Sequence, residues 1–256
     1  METKNSDEIR QAVRSRYGQI ARQKTSGCGC SALSSCCGTN PLSIEKMSQV
    51  FGYTQEQLDS APEGANLGLG CGNPQAIASL KEGETVLDLC SGGGFDCFLA
   101  AKSVGESGRI IGVDMTADMV GKARQNVAKL GVNNVEFRLG EIEHLPVPDA
   151  SVDVIISNCV INLSPEKLNV FREAMRVLKP GGRLLILEFS KPGNPLLSKA
   201  YDAYSFGVIP AMGRLITGDA DSYRYLAESI RVHPDQESLR QMMEDAGFAR
   251  CEYHNM

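Results

Sequence analysis

The chain has 256 residues, 42% of them hydrophobic and 22% charged, which suits one soluble globular domain with a sizeable core and an N-terminal extension. A net charge of -5 offers no basic face to a phosphate backbone, so nucleic acid is excluded as an expected partner. No apolar run approaches the ~20 residues that span a bilayer, and nine cysteines without an export signal read as reduced thiols of a cytoplasmic protein, fit for metal, metalloid or catalytic work.

From Ser6 to about Lys24, Ile9, Val13, Tyr17 and Ile20 recur at helical spacing, with Ser6 or Asp7 available as N-cap. An amphipathic helix is expected there, packed on the domain as a lid; membrane insertion would need more apolar bulk. GCGCSALSSCCGTNP follows, a Gly/Ser-rich loop with Cys28, Cys30, Cys36 and Cys37, so residues 1–40 form a helix and a Cys-rich loop. Residues 41–190 read as the core domain. TVLDLC, RIIGVD, VEFRLG, VDVIIS and RLLILEF are β-branched or apolar runs typical of strands. Helical patterns over Phe95–Ser103, Ala117–Leu130 and Pro165–Leu178 alternate with them. Such βαβ repetition demands an α/β fold with a mostly parallel sheet covered on both faces. KPGG at 179–182 reads as a turn before the fifth strand. Residues 191–256 form a C-terminal region on the substrate side, with a variable insert, a helix over about Gln236–Ala246 and a strand, ARCEYHN.

VLDLCSGGGFD follows a strand and opens a helix, the context in which a glycine loop can bind a ligand. Gly92 and Gly94 let the backbone approach closely, and the helix N-terminus faces an anionic group, here a methionyl carboxylate. Asp88 lies in the first strand, TVLDLC, and 26 residues later Asp114, followed by Met115, ends the second, where a carboxylate can bind both ribose hydroxyls. Glu141 and Ile142, after the third strand, are expected at the adenine, and Asn158 ends the fourth. Successive strand ends of this kind outline a crevice at a topological switch point. The motif set of the glycine loop, VDM, GEIE and KPGG resembles the class I S-adenosylmethionine methyltransferases, with a Rossmann-like fold and S-adenosyl-L-methionine as cofactor.

Residues 10 to 182 resemble the arsenite S-adenosylmethionine methyltransferase family. The segments that carry the likeness are ANLGLGCGNPQAIASLKEGETVLDLCSGGGFDCFLAA, GRIIGVDMTADM, NVEFRLGEIEHLPVPDASVDVIISNCVINLSPEK and FREAMRVLKPGG. From about Arg183, RLLILEFSKPGNPLLSKAYDAYSFGVIP and GDADSYRYLAESIRVHPDQESLRQMMEDAGF resemble the UbiE-like C-methyltransferases of ubiquinone and menaquinone biosynthesis. The first resemblance implies arsenic detoxification by thiolates at Cys37, with Cys36 beside it, Cys97 and Cys159, which together would hold As(III) and make up the catalytic set. Soft thiolates suit trivalent arsenic, whose lone pair then attacks the sulfonium methyl without a base. The implied substrate is arsenite or its thiol conjugate, with a reductant such as glutathione or thioredoxin. The family's fourth cysteine has no match near SYRYLAESI, and Cys251 is expected on the terminal strand away from the pocket.

The second resemblance implies carbon methylation of a quinone precursor. Ile161 stands where that family carries an Arg implicated in removing the ring proton, and a carbon nucleophile of this type needs a base. A Cys-rich metal-binding module is the non-enzymatic alternative, since C-x-C and C-C can hold zinc or copper(I). His144, His233 and His254 share no ligand spacing. Both families finish with an antiparallel hairpin, and with the residues ending at Met256 six strands or an incomplete edge beyond RLLILEF are expected.

Overall fold

The computed structural model describes residues 5–22, 44–189, 231 and 233–255. The loop with Cys28, Cys30, Cys36 and Cys37, and the insert over 190–230, lie outside the described residues.

The elements of the core run β1 (Thr85–Leu89), α5 (Phe95–Val104), β2 (Arg109–Asp114), α6 (Ala117–Leu130), β3 (Val135–Leu139), β4 (Val152–Asn158), α7 (Lys167–Val177) and β5 (Leu178–Leu187). They are preceded by α1 (Ser6–Arg22), α2 (Ile44–Val50), α3 (Gln55–Ser60) and α4 (Gln75–Ala78) and followed by α8 (Gln236–Asp245). The short α2 to α4 had no periodicity strong enough to read, although Thr54 and Gln57 form a capping box that starts α3. In front of α1, the Asn5 N–H donates to the Glu8 carboxylate at 3.3 Å, so the cap falls one residue before the two expected.

The strands pair in parallel in the order β3-β2-β1-β4-β5. Alternate residues of each strand enter opposite cores, because side chains alternate across a strand. Val86, Ile110, Phe137, Val154 and Ile156 pack under Phe98, Leu99 and Val104 of α5 and Val120 and Ala123 of α6. Leu87, Leu89, Ile111, Val113 and Ile155 pack under Val170, Phe171, Ala174 and Val177 of α7, joined by Leu239, Met242 and Met243 of α8. Two apolar faces are why these strands read as near-continuous hydrophobic runs. The order reverses between β1 and β4, which opens a crevice beyond their C-terminal ends.

KPGG bulges out inside β5: Val152 pairs with Leu178 and Val154 with Arg183, so the four residues Lys179–Gly182 stand opposite Asp153 alone. Gly181 has φ +80°, which favours glycine there. Among the described residues the sheet stops at five strands, with no sixth beyond β5. ARCEYHN is not a strand; it follows α8 as irregular chain without ladder partners among the described residues. Cys251 lies on this segment, half-buried. No described helix is long and apolar enough to cross a membrane.

Candidate active site

The β1–α5 turn carries the glycine loop. Gly92 (φ +53°) and Gly94 (φ +90°) take left-handed backbone. A Cβ on Gly92 would meet nothing within 4 Å, so this glycine opens onto free space. One on Gly94 would lie 2.6 Å from the Phe137 ring, so this glycine serves packing. A Cβ on Gly93 would sit 2.7 Å from the carbonyl oxygen of Ala65, which clamps the loop from the other side. Cys90 also has positive φ (+54°), a conformation in which glycine carries no penalty.

Beyond the loop lies a cavity of about 890 Å³, open solvent at its mouth included. Asp88, Asp96, Asp114, Met115, Thr116, Asn158 and Cys159 line it at the strand ends, with Val13 and Tyr17 of α1 closing one side. Asp114 accepts the Thr116 N–H at 2.8 Å and the Gly92 N–H at 3.1 Å, fixing the loop. Asp96 accepts the Tyr53 hydroxyl at 2.8 Å and the Asn158 amide at 3.0 Å. Burial pushes all three carboxyls up, Asp96 to about 6; the neighbouring Asp96 raises Asp88 further.

Three carboxylates and no described Lys or Arg line this cavity. Such a lining suits a cation and opposes a pyrophosphate, which separates a sulfonium cofactor from a dinucleotide on charge alone. S-adenosylmethionine fits this donor set: Asp114 for the ribose, Gly92 for a close backbone approach, and Asp88 and Asp96 for the positive end.

Asp88, Gly92, Asp114, Met115 and Asn158 therefore border one cavity. The structure places three other expected cofactor contacts elsewhere. Gly94 packs on Phe137, and Ile142 is 5% exposed within the α7-side core. Glu141 ion-pairs with Arg14 and, at 3.5 Å, with Arg10 of α1. Arg10 also reaches Glu166 at 2.9 Å and Glu143 at 3.7 Å, so the acidic residues after β3 bind the lid helix.

The thiols are rearranged relative to expectation. Cys97 lies beneath the cavity, fully buried, its sulfur 3.2 Å from the Asp88 carboxylate. A helix advances about 100° per residue, so Asp96 faces the cavity and Cys97 turns toward the sheet. Burial pushes the thiols of Cys97 and Cys90 far up, so neither is a ready thiolate. Cys159, with φ +58°, borders the cavity at the end of β4 and is disulfide-bonded to Cys71 with Cα atoms 6.0 Å apart. Cys71 was missed by sequence reasoning. Its signal was the Gly70-Cys71-Gly72 triplet, since a Cβ on Gly70 would fall 2.7 Å from the Asn158 amide. Asn158 accepts the Cys71 N–H at 3.0 Å and donates to the Gly72 carbonyl at 2.9 Å. Among the described residues no three His, Cys, Asp or Glu side chains form a metal cluster. Tyr53 and Asp96 also escaped the sequence reading.

Comparison with known proteins places this geometry. Residues 74–256 match the profile of the ubiE/COQ5 methyltransferase family. The chain belongs to the ubiE/COQ5 methyltransferase family. It is 53% identical over 188 residues to an arsenite methyltransferase of Halobacterium salinarum, covering 72% of this chain and 48% of that one. The chain thus spans about half the length of that relative. It is 49% identical over 180 residues to a ubiquinone/menaquinone biosynthesis C-methyltransferase UbiE of Cellvibrio japonicus, covering 70% and 72%. Among solved structures, an arsenic(III) S-adenosylmethionine methyltransferase from Chlamydomonas reinhardtii superposes with a TM-score of 0.55 at 30% identity, over 82% of this chain and 64% of that one. A SAM-dependent methyltransferase from Aquifex aeolicus gives 0.50 at 25% identity, over 80% and 87%. This ubiE/COQ5 family member has the class I S-adenosylmethionine methyltransferase fold.

Proposed function

We propose that the protein methylates trivalent arsenic, using S-adenosylmethionine. The observation that carries the reading is that Cys159, on the wall of the acidic cavity, meets Cys71, 88 residues away in sequence. Two thiols at a Cα separation of 6.0 Å are close enough to chelate one soft centre once reduced. Cys37, outside the described residues, or a molecule of glutathione supplies a third sulfur. Each As–S bond forms as a thiol loses its proton and a hydroxyl of arsenous acid leaves as water.

The cofactor supplies an electrophilic methyl group on a sulfonium. Asp114 holds its ribose, the glycine loop its carboxylate, and Asp88 and Asp96 face its positive charge. Tyr53 and Asn158 keep Asp96 in place by hydrogen bonds of 2.8 and 3.0 Å. Cys71 and Cys159 hold arsenic with its lone pair toward the methyl group, and proximity supplies most of the acceleration. The new As–C bond would form from that lone pair as the methyl–sulfonium bond breaks and S-adenosylhomocysteine leaves, so that arsenic becomes pentavalent. Closure of Cys71 and Cys159 to a disulfide breaks their two As–S bonds and returns two electrons to arsenic, which takes a hydroxyl from water with loss of a proton and leaves as a trivalent methylarsenical on the third sulfur. A dithiol or two glutathiones then reopen the pair, themselves becoming a disulfide, and a cytosolic location keeps that reductant available.

A second reading, carbon methylation of a quinone precursor, is favoured by the family profile and by Asp96, a carboxylate held near pKa 6 in the cavity and able to take a ring proton. Substitution separates the two. Cys71→Ser and Cys159→Ser are expected to lower arsenite methylation at least 100-fold without changing cofactor affinity. Retained arsenite methylation in both variants rejects the arsenic reading.

A further inference from the structure

The chain segment that carries Cys159 is held by a carboxylate from a different strand. Glu188 follows β5, and its Oε1 accepts the backbone N–H groups of Val160 at 2.8 Å, Ile161 at 2.7 Å and Asn162 at 3.3 Å. The Cys159 N–H donates to the Leu187 carbonyl at 2.8 Å, so β5 grips four consecutive amides. Cys159 itself sits at φ +58°, a left-handed conformation that is unfavourable for a non-glycine residue and relaxes unless its neighbours hold it. The other Glu188 oxygen, Oε2, is buried without a hydrogen-bond partner among the described residues. One carboxyl oxygen shared among three amides, at the cost of a buried oxygen without a described partner, is more than a surface turn requires. On the opposite side, Asn158 fixes Cys71 through its N–H and Gly72 through its carbonyl.

We propose that Glu188 is a positioning residue that holds Cys159 at the separation from Cys71 at which both thiols bind one arsenic atom. The inference rests on the arsenic reading above. Asn158 provides the fixed end of this arrangement and Glu188 the other. Without Glu188, the Val160–Asn162 amides turn to water, Cys159 leaves its left-handed conformation, and the two sulfurs spend most of their time too far apart to chelate.

The test uses the full chain with Cys28, Cys30, Cys36 and Cys37 replaced by Ser, so that the Cys-rich loop contributes no thiol. Phenylarsine oxide is the probe: two thiols lose their protons, two As–S bonds form and the oxide oxygen leaves as one water. In the reduced protein, tight binding is expected and is lost in Cys71→Ser and in Cys159→Ser. Tight binding that survives both changes rejects the arsenic reading and this proposal with it. Where binding does depend on both thiols, Glu188→Ala is expected to weaken it at least tenfold, with S-adenosylmethionine affinity unchanged within about twofold as the check on folding. Glu188→Gln, which keeps a carbonyl acceptor, is expected to restore binding to within about threefold. Phenylarsine oxide affinity in Glu188→Ala equal to that of the parent overturns the proposal, and so does a Gln variant as weak as the Ala variant.

Discussion

Replacing Asp114 by Ala tests the cofactor site at its most constrained point. The carboxylate is 6% exposed at the end of β2, borders the cavity, and accepts amides from Gly92 and Thr116. A bound ribose uses the remaining lone pairs of the same oxygens, so the substitution removes a charge-assisted contact and loosens the loop beside it. A hydrogen bond to a charged group contributes roughly 1.5–3 kcal/mol, which is about 10- to 150-fold in Kd. In the fold the substitution leaves the Gly92 and Thr116 amides without their acceptor, and the burial that pushes the Asp114 carboxyl up offsets part of that cost. Calorimetric titration with S-adenosylmethionine measures the affinity and thermal unfolding the fold. Asp114→Asn, which retains an acceptor for the Thr116 amide, is expected between the parent and the Ala variant. An Ala variant that stays folded and binds within twofold of the parent refutes the assignment.

Cys97→Ala is expected to leave arsenite methylation within about threefold of the parent, as the sulfur lies outside the cavity; loss of its hydrogen bond to buried Asp88 should cost about 1 kcal/mol in urea unfolding. A hundredfold loss of activity would return Cys97 to the chemistry. Asp96 titrates near 6 in the free protein because of burial, and a cationic ligand favours its ionised form. Cofactor binding should therefore release protons near pH 6 and weaken as pH falls from 7 toward 4, read from the buffer dependence of the binding enthalpy; an enthalpy independent of buffer at pH 6 contradicts this. Arg10→Ala leaves Glu143, 4% exposed, with its hydrogen bond from Ser164 but without its ion pair, and should destabilise the protein by about 3 kcal/mol, the low end for a broken buried pair. Adding Glu143→Gln should recover most of that loss, and additive effects of the two changes would disprove the coupling.

The sheet was legible because its strands are apolar on both faces and its helices are amphipathic, two periods that survive in the residues themselves. Asp88, Gly92 and Asp114 were legible for a related reason: each sits at a strand end whose position in the crevice follows from parallel topology. Glu141 obeys the same rule, yet α1 brings Arg10 and Arg14 to it, and docking of a distant helix leaves no local signature. Cys97 was misplaced because adjacent positions on a helix point about 100° apart, and one residue decides between cavity and core. Cys71 was overlooked since its partner is 88 residues away and only the Gly70 and Gly72 flanks hint at close approach. KPGG was read as a turn, and it does bulge, but between two paired stretches of a single strand. ARCEYHN has the composition of a strand, and composition does not say whether an edge is there to receive it.

The central claim is that a ubiE/COQ5 family member directs its methyl group to arsenic through Cys71 and Cys159. Incubating the reduced protein with methyl-labelled S-adenosylmethionine, in parallel with arsenite plus glutathione and with a demethylated quinol precursor, tests it most directly. The account predicts label in a methylarsenical, at least 100-fold above the level in the quinol reaction and dependent on both cysteines. Label in the quinol alone, unaffected by Cys71→Ser and Cys159→Ser, would contradict it.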